Sequence, residues 1–134
     1  MLQGLTTVNL VSDDVPAAAA WYAELLGISP YFVRPEQGPP AYVEVRLGPD
    51  EDELGIIDRR FTSHVATNGP AGVVVYWQVE DVAAAVDRAV ALGATTLDPV
   101  TVRGEAGFVT ASVVDPFGNV VGLMHSPHWL VSHQ

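Results

Sequence analysis

The sequence contains no cysteine, few basic residues and no long apolar run, and each absence excludes a class of protein. Without cysteine the 134-residue chain can form no disulfide, thiolate nucleophile or zinc–thiolate site. Six Lys and Arg against sixteen Asp and Glu give a formal charge of −10, which argues against nucleic acid and anionic membranes as partners. No apolar segment approaches the roughly 20 residues that a membrane-spanning helix needs. The N-terminus also lacks the pattern of a signal peptide, so we expect a cytoplasmic protein.

The composition is that of a folded chain with one core. Apolar residues make up 49% of the sequence and charged residues 16%, which is typical of a globular protein. A chain of this length suits a single domain, residues 1–134. Part of the negative charge is concentrated at 50–53, and we interpret this segment as a solvated turn between two strands.

An internal repeat with an offset of 67 residues organises the chain. Asp14 aligns with Asp81, and the apolar segment 54–57 aligns with 121–124 at the same offset. Because each half follows the order strand, helix and three strands, we predict an α+β fold of two tandem βαβββ modules, with the site between them. The first module spans about 4–60 and the second about 70–127.

Local patterns predict the elements of each module. Apolar alternation and β-branched residues predict strands at 5–11, 29–33, 41–47, 53–58, 72–79, 94–103, 108–114 and 120–125. Ser12 or Asp13 is expected to cap the first helix, which ends at Gly27, and the second helix is expected over 81–92. The aperiodic segment 59–70 is interpreted as a linker.

The repeat, together with three short motifs, resembles a known superfamily over roughly residues 4–127. The motifs are the strand-to-helix segment 79–85 (VEDVAAA), the Leu-Gly helix ends, and the turn 115–119 (DPFGN) before the last strand. They resemble the vicinal oxygen chelate superfamily, which includes glyoxalase I, extradiol dioxygenases and bleomycin resistance proteins. The resemblance implies that the two modules form a curved mixed-sheet cup and that the protein is a homodimer.

In the metal-dependent members of that superfamily, four inward side chains, usually His, Glu or Gln, hold a divalent ion. The resemblance places the four positions on residues that are poor ligands or none, namely Thr7, Gly55, Val74 and Gly122. Moving the alignment by two residues gives one carboxylate and no imidazole: Asn9, Glu53, Tyr76 and Met124, or Gln78 in the second module. His64 falls in the linker, and His125, His128 and His133 lie near the C-terminus, where we expect His125 and His128 to lie in an extended segment. We therefore expect no metal ion and no other cofactor.

A cup without a metal ion would have a small, largely apolar floor with a few polar groups around it, which is typical of a small-molecule pocket. The expected ligand contacts are Thr7, Asn9, Tyr42, Glu44, Arg46, Gly55, Val74, Tyr76, Gln78, Gly122 and Met124. Two questions stay open. Gly55 and Gly122 either leave room for a ligand or allow close contact with neighbouring backbone. Arg46 either pairs with Glu44 or binds a carboxylate of a ligand. No activated nucleophile, phosphate loop or dinucleotide motif is present, so we predict no catalytic residue.

Three functions are compatible with these patterns. The first is a metal-free protein that binds a small, partly apolar molecule, sequestering an antibiotic or metabolite, with the acidic charge favouring a cationic ligand. The second is a metal-dependent lyase, isomerase or dioxygenase with a variant ligand set. The third is an interaction module with a vestigial cup. Metal uptake distinguishes the first two hypotheses, and small-molecule binding distinguishes both from the third.

Overall fold

The computed structural model describes residues 1, 3, 5–62 and 74–134. The first module contains β1 (Thr7–Ser12), α1 (Val15–Leu26), β2 (Phe32–Arg34), β3 (Tyr42–Leu47) and β4 (Asp52–Asp58). The second contains β5 (Val75–Gln78), α2 (Val82–Ala91), β6 (Thr95–Arg103), β7 (Phe108–Val114) and β8 (Val120–His125), followed by α3 (Pro127–Ser132). This order confirms the predicted α+β fold with two βαβββ modules. In the described part of the chain, no helix is long and apolar enough to cross a membrane.

The first module is a four-stranded mixed sheet in the order β1-β4-β3-β2, with α1 on one face. The pair β1 and β4 is parallel, and the other neighbours are antiparallel. Since successive side chains of a strand point to opposite faces, alternate residues meet the helix. The buried core consists of Val15, Ala18, Tyr22, Val43, Val45, Leu54 and Ile56.

The second module repeats this arrangement with the sheet order β5-β8-β7-β6 and α2 on one face. Its buried core includes Val82, Val86, Ala89, Ala111, Val113, Val121 and Leu123. The repeat extends to the register: Asn9 lies opposite Gly55 on β4, and Tyr76 lies opposite Gly122 on β8. The offset of 67 residues therefore relates equivalent positions of two similar sheets.

The two helices begin at equivalent aspartates. The Asp14 carboxylate accepts a hydrogen bond from the Ala17 N–H at 3.1 Å, and the Asp81 carboxylate accepts one from Ala84 at 2.9 Å. The prediction that Ser12 or Asp13 caps the first helix is therefore wrong. The buried Ser12 hydroxyl instead accepts a hydrogen bond from the Asp14 N–H and donates one to the Asp14 carbonyl, both at 2.9 Å.

The largest difference from the predicted elements is at the C-terminus, where 127–132 forms α3 instead of an extended segment. Ser126 caps this helix, since its hydroxyl accepts a hydrogen bond from the Trp129 N–H at 3.2 Å. The other differences are smaller. The strand β2 begins at residue 32 instead of 29, and the expected linker begins with a 3₁₀ turn at Arg59–Phe61. The rest of that linker from residue 63, with His64, and the predicted start of the fifth strand at 72 lie outside the described residues.

The turn that contributed to the family resemblance is organised by one buried side chain. The Asp115 carboxylate accepts hydrogen bonds from the backbone N–H groups of Phe117 and Asn119, each at 2.8 Å, and from the Asn119 side chain at 2.9 Å. Gly118 has a φ of 92°, a left-handed conformation that favours glycine. The structure thus confirms a turn at 115–119 that leads into β8.

Candidate functional site

The predicted ligand contacts lie on the far face of each sheet, by which we mean the face that points away from α1 or α2. The far face of the first module carries six of them, namely Thr7, Asn9, Tyr42, Glu44, Arg46 and Gly55. The far face of the second carries Tyr76, Gln78, Gly122 and Met124. Val74 immediately precedes β5 and is 40% exposed. Within each module, the structure therefore brings the predicted residues together.

Glu44 is the centre of a hydrogen-bonded network on the far face of the first module. Its carboxylate accepts hydrogen bonds from the hydroxyl groups of Tyr31 and Tyr42, the latter at 2.8 Å. The Tyr42 hydroxyl also lies 3.5 Å from Asn9 Oδ1. Two phenol donors thus satisfy the carboxylate of Glu44 from within the module.

Arg46 pairs with Glu53, so the expected pairing with Glu44 is wrong, whereas a contact between Arg46 and a ligand carboxylate stays a prediction. The Arg46 guanidinium lies 3.3 Å from a Glu53 carboxylate oxygen, and the Thr7 hydroxyl donates to the other oxygen at 3.0 Å. The guanidinium also lies over the Tyr31 ring, 4.4 Å from its centroid. Because the Arg46 side chain is 46% exposed, one edge of this pair stays accessible to solvent.

A hydrogen bond and burial raise the pKa values of the two phenols in this network. The hydrogen bond to Glu44 is the largest cause that raises the pKa of Tyr31. For Tyr42, burial is the largest cause of a strongly raised pKa, and the hydrogen bond to Glu44 adds to it. The hydrogen bond to Glu53 likewise raises the pKa of Arg46. The network therefore presents neutral hydroxyl donors and a cation at neutral pH, with no phenolate that could act as a base.

The two far-face glycines are positions of close contact. A Cβ atom at Gly55 would lie 2.2 Å from Asn9 Oδ1 and 2.6 Å from the Tyr42 hydroxyl oxygen. At Gly122 it would lie 2.7 Å from Tyr76 Cδ1 and 2.8 Å from the Val75 carbonyl oxygen. Neighbouring side chains thus occupy the space above both glycines, which favours the close-contact alternative. Contact between these glycines and a ligand stays a prediction.

A pocket of about 320 Å³ lies in the second module, between the far face of the sheet and α3. It includes three of the predicted contacts and five residues at or near α3. The lining residues are Tyr76, Gln78, Met124, Ser126, His128, Trp129, Ser132 and His133. All the lining residues that the structure describes therefore belong to the second module.

Gln78 joins β5 to the start of α3 and so positions one wall of the pocket. Its side-chain oxygen accepts a hydrogen bond from the Ser126 N–H at 2.8 Å, and its amide nitrogen donates to the Val79 carbonyl at 3.2 Å. On α3 itself, the Trp129 ring stacks on His133 with the ring centroids 4.0 Å apart. The amide of Gln78 is thus already engaged by the backbone, so its role in this pocket is to hold the helix in place.

The residues that sequence reasoning missed are those near α3, above all Trp129, His128 and His133. The extended conformation predicted at His128 is wrong, because Ser126 caps a helix there and Pro127 is its first residue. The signal was present in the sequence as Ser126 followed by Pro127, which is a common pair of residues at a helix start.

The four positions that the resemblance assigns to a metal ion do not fit one. Two are glycines without a side chain, and neighbouring atoms occupy the space that a side chain would need. Thr7 donates its hydroxyl proton to Glu53, and Val74 has no donor atom. Among the residues that the structure describes, no three His, Asp or Glu side chains come together in a way that could hold a metal ion.

Comparisons with known proteins agree with this fold. The sequence profile of the Glyoxalase/Bleomycin resistance protein/Dioxygenase superfamily matches residues 4–123. A glyoxalase-related enzyme from Fulvimarina pelagi is 22% identical, with a TM-score of 0.73 over 94% of this chain and 90% of that protein. A protein described as a glyoxalase/bleomycin resistance protein/dioxygenase family enzyme, from Burkholderia phytofirmans PsJN, is 19% identical, with a TM-score of 0.69 over 90% and 96%. At these identities the structural likeness shows the fold alone. No curated protein sequence matches the chain significantly.

Proposed function

We propose that this chain, which belongs to the glyoxalase/bleomycin resistance protein/dioxygenase superfamily, binds a small, partly apolar molecule without a metal ion. The observation that carries the proposal is the pocket between β5, β8 and α3. Its volume of about 320 Å³ lies at the lower end of the range of small-molecule pockets, roughly 300–1,000 Å³. Its lining combines aromatic rings and a thioether with a few polar groups, which is the composition that such pockets have.

The serine hydroxyl groups of the pocket are not placed to act as nucleophiles, which favours binding over catalysis as the function. The Ser126 hydroxyl accepts a hydrogen bond from the Trp129 N–H, and the Ser132 hydroxyl donates its proton to the His128 carbonyl at 3.0 Å. A serine nucleophile requires a base that accepts its proton, and neither hydroxyl has one among the described residues. The proposed role is therefore to hold or sequester the molecule, which could be an antibiotic or a metabolite.

The polar network of the first module is a further surface proposed for ligand contact, through Thr7, Asn9, Tyr42, Glu44 and Arg46. Its exposed Arg46 edge supports this part of the proposal, since a guanidinium can bind a carboxylate of a ligand. We also propose that residues 1–134 act as one domain, that the protein forms a homodimer, and that it is cytoplasmic. A sedimentation measurement of the purified chain tests the dimer.

The test combines metal analysis with a binding screen on the full chain. Protein that has been stripped of divalent ions and then incubated with manganese, iron, nickel or zinc should take up no stoichiometric metal. The stripped protein should still gain thermal stability with at least one compound from a panel of small molecules, because a ligand of the native state raises its apparent stability. If stability rises only in protein that carries one metal ion, the chain is a metal-dependent protein instead.

A pair of matched variants shows whether the pocket is the site. Met124→Trp places a large ring in the pocket and should abolish the ligand-dependent shift while the protein stays folded. Ile57→Trp changes the equivalent position of the first module, 67 residues earlier, and should leave the shift unchanged. If no compound shifts the wild-type protein, the vestigial-cup hypothesis gains and the proposed function is wrong.

A further inference from the structure

The apolar surface of the second-module pocket is flat and aromatic. The Trp129 indole is held nearly parallel to the His133 imidazole, with 15° between the ring planes, and His133 Nδ1 lies 2.8 Å from the Trp129 carbonyl oxygen. The Tyr76 ring lies directly over Gly122, where the absence of a side chain allows its close approach. Since aromatic rings interact best with other rings in stacked or edge-to-face arrangements, these surfaces favour a planar ligand over a saturated one.

The polar groups of this pocket that remain available can all donate a hydrogen bond, although a hydroxyl and a neutral imidazole can also accept one. The Tyr76 hydroxyl and the Trp129 indole N–H have no hydrogen-bond partner among the described residues, and neither has the His128 ring. The Gln78 side-chain oxygen and the Ser126 hydroxyl oxygen hold the start of α3, and the Gln78 amide nitrogen donates to the Val79 carbonyl. An oxygen acceptor on the ligand, such as a carbonyl, phenolate or carboxylate oxygen, would complement these donors.

The pocket also lacks a counter-charge for a cation. None of the residues that the structure shows lining it is an Asp or Glu, although the chain has sixteen. An ion of either sign loses hydration in an apolar pocket, and the lining that the structure shows has neither a carboxylate nor a Lys or Arg. Uncharged hydrogen-bond donors can compensate an anion in part, whereas they cannot compensate a cation. The overall charge of −10 acts at long range and mainly affects the rate of encounter. The local lining therefore argues against the cationic ligand that the net charge favours.

We infer that the second-module pocket takes a planar aromatic molecule of one or two fused rings that bears an acceptor oxygen and is neutral or anionic. The small volume of the pocket limits the ligand to one or two fused rings, and the aromatic side chains favour a planar ring system. The hydrogen-bond donors and the absence of Asp and Glu from the lining that the structure shows favour an acceptor oxygen over a cationic group. This inference rests on the proposed function, because it names the ligand class of the same site.

Isothermal titration of the full chain with four probes of similar size tests each element of the inference. The probes are 2-naphthoate, 2-naphthol, 2-naphthylmethylammonium and decalin-2-carboxylate, at neutral pH and physiological salt. 2-Naphthoate and 2-naphthol should bind. The ammonium compound should bind at least about tenfold more weakly, because the pocket lining offers it no negative charge. The saturated decalin should also bind about tenfold more weakly because it cannot stack.

Variants that keep an aromatic ring but remove a donor connect the binding to the pocket. Tyr76→Phe keeps the ring but removes the hydroxyl, and should weaken 2-naphthoate and 2-naphthol by about 2- to 10-fold. Tyr22→Phe removes a tyrosine hydroxyl from α1, away from the far face of its module, and should leave the affinity of these probes unchanged. Trp129→Phe keeps a ring on α3 and loses the indole donor, so it should act in the same direction as Tyr76→Phe.

The outcomes separate the inference from the proposed function. If the ammonium or the decalin binds as tightly as 2-naphthoate, the ligand class is wrong while small-molecule binding stands. The same conclusion follows if no naphthalene binds but another compound does and Met124→Trp blocks it. If neither the probes nor the wider panel bind, the inference and the proposed function both fail.

Discussion

Asn9 over Gly55 in the first module and Tyr76 over Gly122 in the second occupy equivalent positions of the two sheets. Asn9 contacts the Tyr42 hydroxyl and so joins a network in which donors and acceptors are paired within the module. Tyr76 has no hydrogen-bond partner among the described residues and lines a pocket instead. The two modules thus share the same backbone register but differ in the side chains on it. Those of the first module form a hydrogen-bonded network, which we call the closed network, and those of the second line a pocket.

The neighbouring strand explains much of this difference. By strand register, Tyr42 and Glu44 on β3 correspond to Thr110 and Ser112 on β7. These two hydroxyl side chains are short and buried, and both form hydrogen bonds with residues of β6. Since they do not extend over the sheet as Tyr42 and Glu44 do, the second module has room above β5 and β8 that α3 can enclose.

The largest expected difference between the modules is the cost of adding one methyl group to each glycine. At Gly122 the methyl group would meet the Val75 carbonyl oxygen at 2.8 Å and Tyr76 Cγ at 2.9 Å, and neither atom can move far. At Gly55 the nearest atoms are the ends of the Asn9 and Tyr42 side chains, which can move aside. We therefore expect Gly122→Ala to lower the free energy of unfolding by about 3 kcal/mol and Gly55→Ala by about 1 kcal/mol.

Urea denaturation of both variants and the wild type checks this order through the unfolding midpoints. Gly55→Ala should also loosen the contact between Asn9 and Tyr42, which would appear as greater exposure of a tyrosine to solvent in absorbance spectra. Equal costs at the two positions, or a larger cost at Gly55, would contradict the contrast between mobile side-chain ends and fixed atoms.

The helix caps should show the opposite result, because there the two modules are alike. Each aspartate accepts a backbone hydrogen bond at the start of its helix, so Asp14→Ala and Asp81→Ala should each lower the free energy of unfolding by about 1 kcal/mol. Asp14→Asn and Asp81→Asn retain a capping oxygen and serve as controls with smaller effects. Thermal unfolding gives the stability of all four variants. If the alanine substitution lowers the stability in only one module, the modules differ at their helix starts too.

The sequence allowed the fold to be predicted because the signals for strands and helices are local. Alternation over 41–47 correctly placed Tyr42, Glu44 and Arg46 on one face, and the repeat aligned the glycines. The partner of Arg46 could not be read in this way, because the cross-strand register that sets Arg46 opposite Glu53 depends on the turn between β3 and β4.

The helix α3 escaped prediction for a related reason. It has only six residues, too few for a helical period to be recognised, and isolated helices of this length are unstable in water. A hydrogen bond between Gln78 and the backbone of Ser126, residues 48 positions apart, holds its start. Local patterns contain no information about such a contact. Ser126 and Pro127 could therefore indicate a helix start, but not that this helix and its ends supply five of the eight lining residues that the structure describes.

The smallest expected effect concerns the phenols of the closed network at alkaline pH. Burial raises the pKa of Tyr42 above its ordinary value of 10.0, so the folded state keeps a proton that the unfolded state loses. The stabilisation is therefore complete below about pH 10 and is lost progressively as the pH rises further. We expect the stability of the wild type to fall more steeply above pH 10 than that of Tyr42→Phe, as measured by urea denaturation across a pH series.

Glu44→Gln separates the two phenols of this network. For Tyr31 the hydrogen bond to Glu44 is the largest cause of the raised pKa, whereas for Tyr42 burial is the largest. Removing the carboxylate charge should therefore return the Tyr31 pKa toward 10.0 and leave that of Tyr42 raised, which an absorbance titration of tyrosine ionisation resolves as two steps. If both pKa values return together, the Glu44 carboxylate and not burial is the main cause of the raised pKa of Tyr42, which would contradict this assignment.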